Sequence, residues 1–404
     1  MSLLIVINFE RRKKVKILHT ADWHLGVKTM GKDRLEAQKH IIEEINEICK
    51  ERNIDIVLIA GDVYNTSTPS ALAEELFYDS VEKLSDNGNR LVVVLSGNHD
   101  DPERLCAGLP LSYKHNIVLA GGLETLNAER FVKGKAIEIV SCGEGFVKAK
   151  KGEETIVIGY LPFDSTLKAR QNIENISYSA LVGDIAKQSC LAFDKNSFNV
   201  FLSHLFVVGS RIARDRVVSV GDVFAVSKED LPKADYVALG HIHANQNVAE
   251  NIYYSGSISR LRPGDYDVSV NIVENNGHEV KVEKVILETP EKYIQIKVES
   301  IKEAENELGK LKETDLAELT FVISEPLKAS EIKQLKKDYP MITSVSLELV
   351  SDADKNSQKG SVSRRNLSDK ELFIAFYNKK KGVDPRDSLL DLFLECKGGR
   401  DETN

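Results

Sequence analysis

The chain is expected to fold as an α/β protein of mixed sheets flanked by helices, followed by a small α+β domain and a C-terminal helical tail. Three observations carry that expectation. Near-continuous Val, Ile and Leu runs at 15–20, 54–60 and 90–96 alternate with amphipathic helical stretches, the pattern of strands buried on both faces. A fresh, strictly alternating pattern starts past Pro290, and residues 351–364 hold almost no apolar side chain before two short apolar stretches near the end.

The elements follow in order. Strand 15–20 precedes a helix over 32–52, in which Leu35, Ile41, Ile42, Ile45 and Ile48 recur on one face. Strand 54–60 leads into a helix over 70–84, and strand 90–96 stops at Gly97-Asn98-His99-Asp100. From 116 to 163 the strands shorten and glycines punctuate them; a polar helix over 177–189 then precedes strand 199–203. Strand 236–239 delivers Gly240-His241-Ile242-His243, and segments 252–256, 268–273 and 280–287 read as antiparallel closing strands of a first domain, 15–289.

In the next segment Ile294, Ile296 and Val298 alternate with Gln295 and Lys297. A charged helix over 301–312, a strand over 318–323, a helix over 327–338 and a strand in which Val345, Leu347 and Leu349 alternate with Ser346 and Glu348 complete a capping domain, 290–350. Residues 351–364, rich in Ser, Lys, Asp and Asn, read as a flexible linker. In the tail, 365–398, Ser368 and Glu371 form a capping-box pattern ahead of Leu372, Phe373, Phe376 and Tyr377. Asp384 and Pro385 suit an N-cap and first helical position before Leu389, Leu390, Leu392, Phe393 and Leu394. An apolar helix pair on a linker needs a surface to pack against.

Composition narrows the function. A chain of 404 residues with 42% apolar content is long enough for two or three cores. Acidic residues outnumber basic ones by 62 to 54, a net charge of −8, the wrong sign for a protein that coats nucleic acid by charge alone. Any nucleic-acid contact is then local or shared. Cys49, Cys106, Cys142, Cys190 and Cys396 are odd in number and lack a CxxC pair, so neither a disulfide framework nor a zinc knuckle is indicated. Residues 1–14 run apolar and then charged, the reverse of a secretory leader, and no later stretch approaches a membrane span. The expected location is the cytoplasm.

Five of the nine histidines sit at or just beyond strand ends beside Asp22, Asp62, Asn98 and Asp100. The segments are Asp22-Trp23-His24, Gly61-Asp62, Gly97-Asn98-His99-Asp100, Ser203-His204 and Gly240-His241-Ile242-His243. Side chains placed after successive parallel strands converge on one sheet edge. Carboxylate, imidazole and amide ligands without thiolate fit Mn, Fe, Zn or Mg, and the mixed set points to two Mn2+ ions with Mg2+ as the other candidate. Two such ions about 3.5–4 Å apart can clamp the attacking and leaving oxygens of a phosphate ester. The bland reading, a packed or solvent-facing histidine, is kept for His19, His40, His115 and His278.

These residues resemble the calcineurin-like metallophosphoesterases and, among them, the SbcD-type nuclease family. The likeness runs over nearly the whole chain. It is carried by His19-Thr20-Ala21-Asp22-Trp23-His24-Leu25-Gly26, Gly61-Asp62-Val63-Tyr64, Ser96-Gly97-Asn98-His99-Asp100, Ser203-His204-Leu205-Phe206, Gly240-His241-Ile242-His243 and Tyr254-Ser255-Gly256-Ser257. The resemblance implies a metallophosphoesterase sandwich in which Asp22, His24, Asp62 and His243 hold one ion and Asp62, Asn98, His204 and His241 the other. His99 then faces the scissile phosphate and Asp100 orients its ring. Tyr64, two residues after Asp62, is expected to face away from the metals.

The same resemblance implies an Mn-dependent DNA exonuclease, 3′ to 5′ on double-stranded ends, and an endonuclease on hairpins and single strands, used in DNA repair, recombination and replication. It implies a homodimer within a heterotetramer, partnered at the nucleoid by an SbcC-like ATPase whose coiled coil receives the tail. Two alternatives stand beside it: a metallophosphoesterase of small molecules or phosphoproteins, and a DNA-end tethering scaffold. Arg211, Arg214 and Arg216 could grip a phosphate backbone or simply be solvated. Arg260 and Arg262 suit packing or ion pairs somewhat better than DNA, and for Arg104 a helix-capping role is equally plausible.

Overall fold

The computed structural model describes residues 15–29, 31–167, 176–212, 216–217, 225–259, 266–276, 279–312, 315–323 and 327–349, with Phe373, Ile374, Tyr377, Pro385 and Leu389. The chain begins with β1 (Val15–Thr20), α1 (Leu35–Glu51), β2 (Ile56–Ala60), α2 (Ala71–Ser85), β3 (Leu91–Leu95), α3 (Pro102–Cys106) and β4 (Ile117–Ala120). These four strands lie side by side in parallel. The chain then builds a second sheet from β5 (Glu138–Gly143), β6 (Phe146–Lys151), β7 (Glu154–Leu161), α4 (Tyr178–Ser189), β8 (Phe198–His204), β9 (Tyr236–Gly240), β10 (Gln246–Ala249) and β11 (Ile252–Tyr254). It returns through β12 (Ser269–Asn275) and β13 (Val280–Ile286) to close the first sheet antiparallel to β1. The strand orders are β13-β12-β1-β2-β3-β4 and β10-β11-β9-β8-β7-β6-β5.

Alternation along the strands explains the layering. Ile56, Leu58 and Ala60 of β2 pack with Ile156, Ile158, Val200, Leu202 and Ala238 between the sheets. Val57 and Ile59 point the other way, onto Ile41, Ile45 and Phe77 of the helices over the first sheet. Phe201, Val237 and Leu239 meet Leu181, Val182 and Ala186 of α4 on the outer face of the second. A strand covered by a sheet on one side and helices on the other is apolar on both faces, which is why the runs read as continuous. The expected sandwich of mixed sheets flanked by helices is what the chain adopts.

One local expectation changes. Residues 252–254 pair parallel with β9 and antiparallel with β10, so they extend the second sheet instead of closing the first. The reason is β10, a short, polar edge strand that reads as loop; such edges resist further pairing. Beyond Pro290, β14 (Tyr293–Val298), α5 (Ile301–Leu308) and β15 (Leu316–Ile323) form a parallel βαβ unit, and α6 (Ala329–Asp338) leads to β16 (Ile342–Leu349) in a separate three-stranded sheet.

By internal contacts the chain divides into two units, 1–321 with 327–346 and 322–326 with 347–404. In the second, the rings of Phe373 and Tyr377 lie 6.1 Å apart, the i,i+4 spacing of a helix. The linker 351–364 and most of the tail 365–398 lie outside the described residues. No helix among the described residues is long and apolar enough to cross a membrane.

Candidate metal centre

The C-terminal ends of β1, β2, β3, β8 and β9 carry the polar side chains. Just past those ends the backbone turns sharply: Asp22, His24, Asp62 and His241 all have positive φ, at 54°, 48°, 51° and 94°. Such conformations disfavour L residues and persist only where the surroundings hold them. Here they swing buried side chains towards a common point. Asp22, His24, Asp62 and His204 are at most 2% exposed.

Two imidazole pairs flank one carboxylate. His24 Nε2 lies 3.1 Å from His243 Nε2, and His204 Nε2 lies 3.1 Å from His241 Nδ1. Asp62 Oδ2 is 3.7 Å from His24 Nε2 and 3.4 Å from His204 Nε2. Asp22 Oδ1 is 3.9 Å from His243 Nε2, and Asn98 Oδ1 is 3.0 Å from His204 Nε2. Possible metal-holding groups are Asp22-His24-His243, Asp62-His204-His241 and His24-Asp62-His99, with ligand atoms in each within 4.8 Å of one another. The structure therefore brings together every residue singled out as a ligand.

The donor set fits a cation. His204 Nδ1 is 2.8 Å from the Ala60 carbonyl; in the neutral ring that nitrogen carries the hydrogen, so Nε2 can face the oxygens of Asp62 and Asn98 only with a proton or a cation between them. Lone pairs aimed at lone pairs in a buried site repel unless positive charge lies among them. The ionisation equilibria reflect burial and these charges together. Burial opposes charge on His204, yet Asp62, with help from Asp22 and the Ala60 carbonyl, pushes it up to about 9. Burial likewise disfavours the Asp62 anion, but His204 and His24 outweigh it and hold the carboxyl well below its usual range. Burial, reinforced by Asp62 and opposed by His204, raises Asp22 to about 8. Burial drives His24 down to about 3 and His241 well below its ordinary value.

His99 stands apart. It is exposed, its backbone N–H donates to Asp62 Oδ1 at 2.9 Å, and its Nδ1 lies 2.9 Å from the Asn65 carbonyl. Its ring meets the edge of His24 at a centroid distance of 4.8 Å. The family pattern has Asp100 orienting that ring, but here the Asp100 carboxylate does something else. It accepts from the backbone N–H groups of Tyr64 at 2.8 Å, Val63 at 3.1 Å and Gly97 at 2.8 Å. Asp100 thus ties the Asp62 loop to the Asn98 loop, and the Asn65 carbonyl takes the place at His99. Burial raises Asp100 to about 6 against those three donors.

Tyr64 is buried, its ring 5.5 Å from Phe77. His19 is buried against the Tyr236 hydroxyl at 2.9 Å and His40 is exposed. Arg104 pairs with Glu74 at 2.8 Å, and Asp101 rather than Arg104 caps α3. Arg211 is exposed; His278, Arg214, Arg260, Arg262 and the side chain of Arg216 lie outside the described residues. Two neighbours of the site lie inside the quoted motifs without having been given a role there. The Ser257 hydroxyl donates to the Asp22 carbonyl at 2.6 Å, and the Phe206 ring lies 3.8 Å from that of His241.

The calcineurin-like phosphoesterase family matches residues 15–245, the span that supplies all of these ligand candidates. This chain belongs to that family. The phosphoesterase is also 30% identical to the SbcD component of the SbcCD nuclease of Bacillus subtilis (strain 168), over 96% of this chain and 99% of the relative. It is 28% identical to the corresponding component of the SbcCD nuclease of Staphylococcus epidermidis, over 65% and 67%. A phosphoesterase with clustered Asp and His ligands is a hydrolase of phosphate esters, and its motif spacing and its geometry agree.

Proposed function

We propose that this phosphoesterase is the nuclease component of a two-component DNA-processing complex. The observation that carries the reading is Asp62 seated between two facing imidazole pairs, in a chain whose likeness to a nuclease component runs from end to end. Asp22, His24, His243 and Asp62 would hold one divalent ion, and Asp62, Asn98, His204 and His241 the other, with Mn2+ favoured by the oxygen and nitrogen donors. When bound, the pair supplies Lewis acidity at the phosphate. His99 is exposed, with Nδ1 fixed on Asn65; its Nε2 can hold the proton required by the leaving oxygen. The carbonyl contact leaves the ring no need of Asp100.

The substrate class is DNA: double-stranded ends degraded 3′ to 5′, and hairpins and single strands cut internally. The partner is an SbcC-like ATPase with a coiled coil, in a heterotetramer built on a dimer of this chain, working in the cytoplasm at the nucleoid. Purified protein with Mn2+, with and without that ATPase, should cut hairpin and linear duplex DNA far faster than it hydrolyses p-nitrophenyl phosphate. A preference for the small ester would favour a small-molecule phosphoesterase. Binding of DNA ends with no cutting at all would favour a tethering scaffold.

A further inference from the structure

Gln38 lies on α1, is 1% exposed, and directs its whole amide at the loop that carries Asp22 and His24. Its Nε2 is 2.9 Å from the Trp23 carbonyl, 2.9 Å from the His24 carbonyl and 2.8 Å from Ser259 Oγ. Its Oε1 accepts from the Gly26 N–H at 3.1 Å. Ser259 Oγ also donates to the Trp23 carbonyl at 2.9 Å. The Trp23 and His24 carbonyls belong to the two peptide planes on either side of the His24 Cα, whose φ of 48° needs an outside hold. Fixing both planes fixes the direction of the His24 Cα–Cβ bond, from which the imidazole reaches the cluster.

One turn earlier on the same segment, Arg34 is 9% exposed and donates to Glu291 at 2.6 Å; Glu291 is 8% exposed and shortly precedes β14. The guanidinium also lies 5.5 Å from the Tyr293 ring. The Gln38 N–H donates to the Arg34 carbonyl at 2.9 Å, so the two side chains ride on one helical turn. Arg34, Gln38, Ser259, Glu291 and Tyr293 line a single small cavity of about 10 Å³. A buried ion pair adds little stability over a packed apolar pair, but it can define how two parts dock.

We propose that Gln38 is a positioning residue for His24, and that the Arg34–Glu291 pair links the seating of the segment entering β14 on α1 to the metal centre through it. The inference rests on the two-ion reading. Its test is two-site Mn2+ calorimetry on the full chain. Gln38→Leu should weaken one binding event about 10-fold or more, as loss of a partner behind a ligand does, and leave the other within about 2-fold. Ser259→Ala should weaken the same event by a smaller factor, and it carries the test if Gln38→Leu does not fold. Glu291→Gln should weaken that event about 3-fold alone and add nothing in the Gln38→Leu background.

A purely structural role would lower the melting temperature of the metal-free protein while keeping the ratio of the two affinities constant, and would overturn the positioning role. Equal losses from Glu291→Gln in both backgrounds, or no loss in either, would overturn the link to the segment entering β14. A parent protein that takes up no Mn2+ would overturn the two-ion reading itself, and this inference with it.

Discussion

Within the cluster His99 is the exposed histidine among buried or half-buried ones; its backbone N–H holds Asp62, its Nδ1 rests on the Asn65 carbonyl, and its ring stands edge-on to His24. His99→Gln should therefore lower DNA turnover by about 100-fold or more while two Mn2+ ions still bind; full turnover would refute the proton-holding role. His19 offers a pH test. Burial brings its imidazole down to about 3, below an ordinary 6.5. The unfolded chain then takes up a proton as pH falls below 6.5 while the folded chain does not, so stability drops through that window and is unaffected above it. The slope attributable to this group is about 1.4 kcal/mol per pH unit. Urea unfolding of His19→Gln against the parent at pH 6.5, 5.5 and 4.5 should show the variant losing stability less steeply; parallel curves would deny it. At this scale the ligands are legible because each stands in a short motif after a strand. Gln38 is not, since a glutamine inside a charged helix looks like ordinary solvated surface, and Asn65 acts through a carbonyl that no side chain announces. For Asp100 the role that the resemblance implies does not hold, because three backbone donors claim its carboxylate.

Among the elements, the strands and helices are readable to within a few residues because their burial is continuous and their periods clean. Helix 70–84 appears as Ala71–Ser85, with Ser70 capping it through Ala73 N–H, and strand 90–96 as Leu91–Leu95. Strand direction is less visible: hydrophobic period is the same in parallel and antiparallel strands, and the polar β10 conceals the hairpin that turns β11 parallel to β9. The turns after the strands hold the chemistry, and their glycines make close approaches. A Cβ on Gly97 would run into the Asp62 backbone nitrogen and carboxylate, and one on Gly240 into the Ala60 carbonyl. Gly97→Ala must push the bridging carboxylate or the backbone aside. The expected result is a loss of about 1–3 kcal/mol in metal-free stability together with weakened uptake of both ions, read by urea unfolding and calorimetry. Unchanged affinity for both would mean that the Asp62 position tolerates displacement.

For the whole molecule, charge and partner must be considered together. A net charge of −8 gives the isolated phosphoesterase no long-range attraction for DNA, while a local cluster near the ions can still engage a few phosphates. Each phosphate neutralised releases counterions, so log K for duplex DNA should fall with log salt by about 0.9 per contact. We expect weak binding by the phosphoesterase alone, with a slope corresponding to only a few contacts, and a steeper slope once the ATPase adds its own contacts. The tail enters the same experiment. The apolar residues that its sequence spaces for helices, after a polar stretch, would suit capture by a coiled coil, so a chain ending at residue 350 should keep Mn2+-dependent cleavage of small phosphodiesters and lose the partner in a pull-down. Its DNA salt slope should then stay at the value for the phosphoesterase alone even with the ATPase present. A truncated chain that still captures the ATPase and gains the steeper slope would place the docking surface elsewhere on the phosphoesterase. Tight, salt-insensitive DNA binding by the isolated full chain would show that apolar or base contacts, rather than phosphates, dominate its hold on DNA.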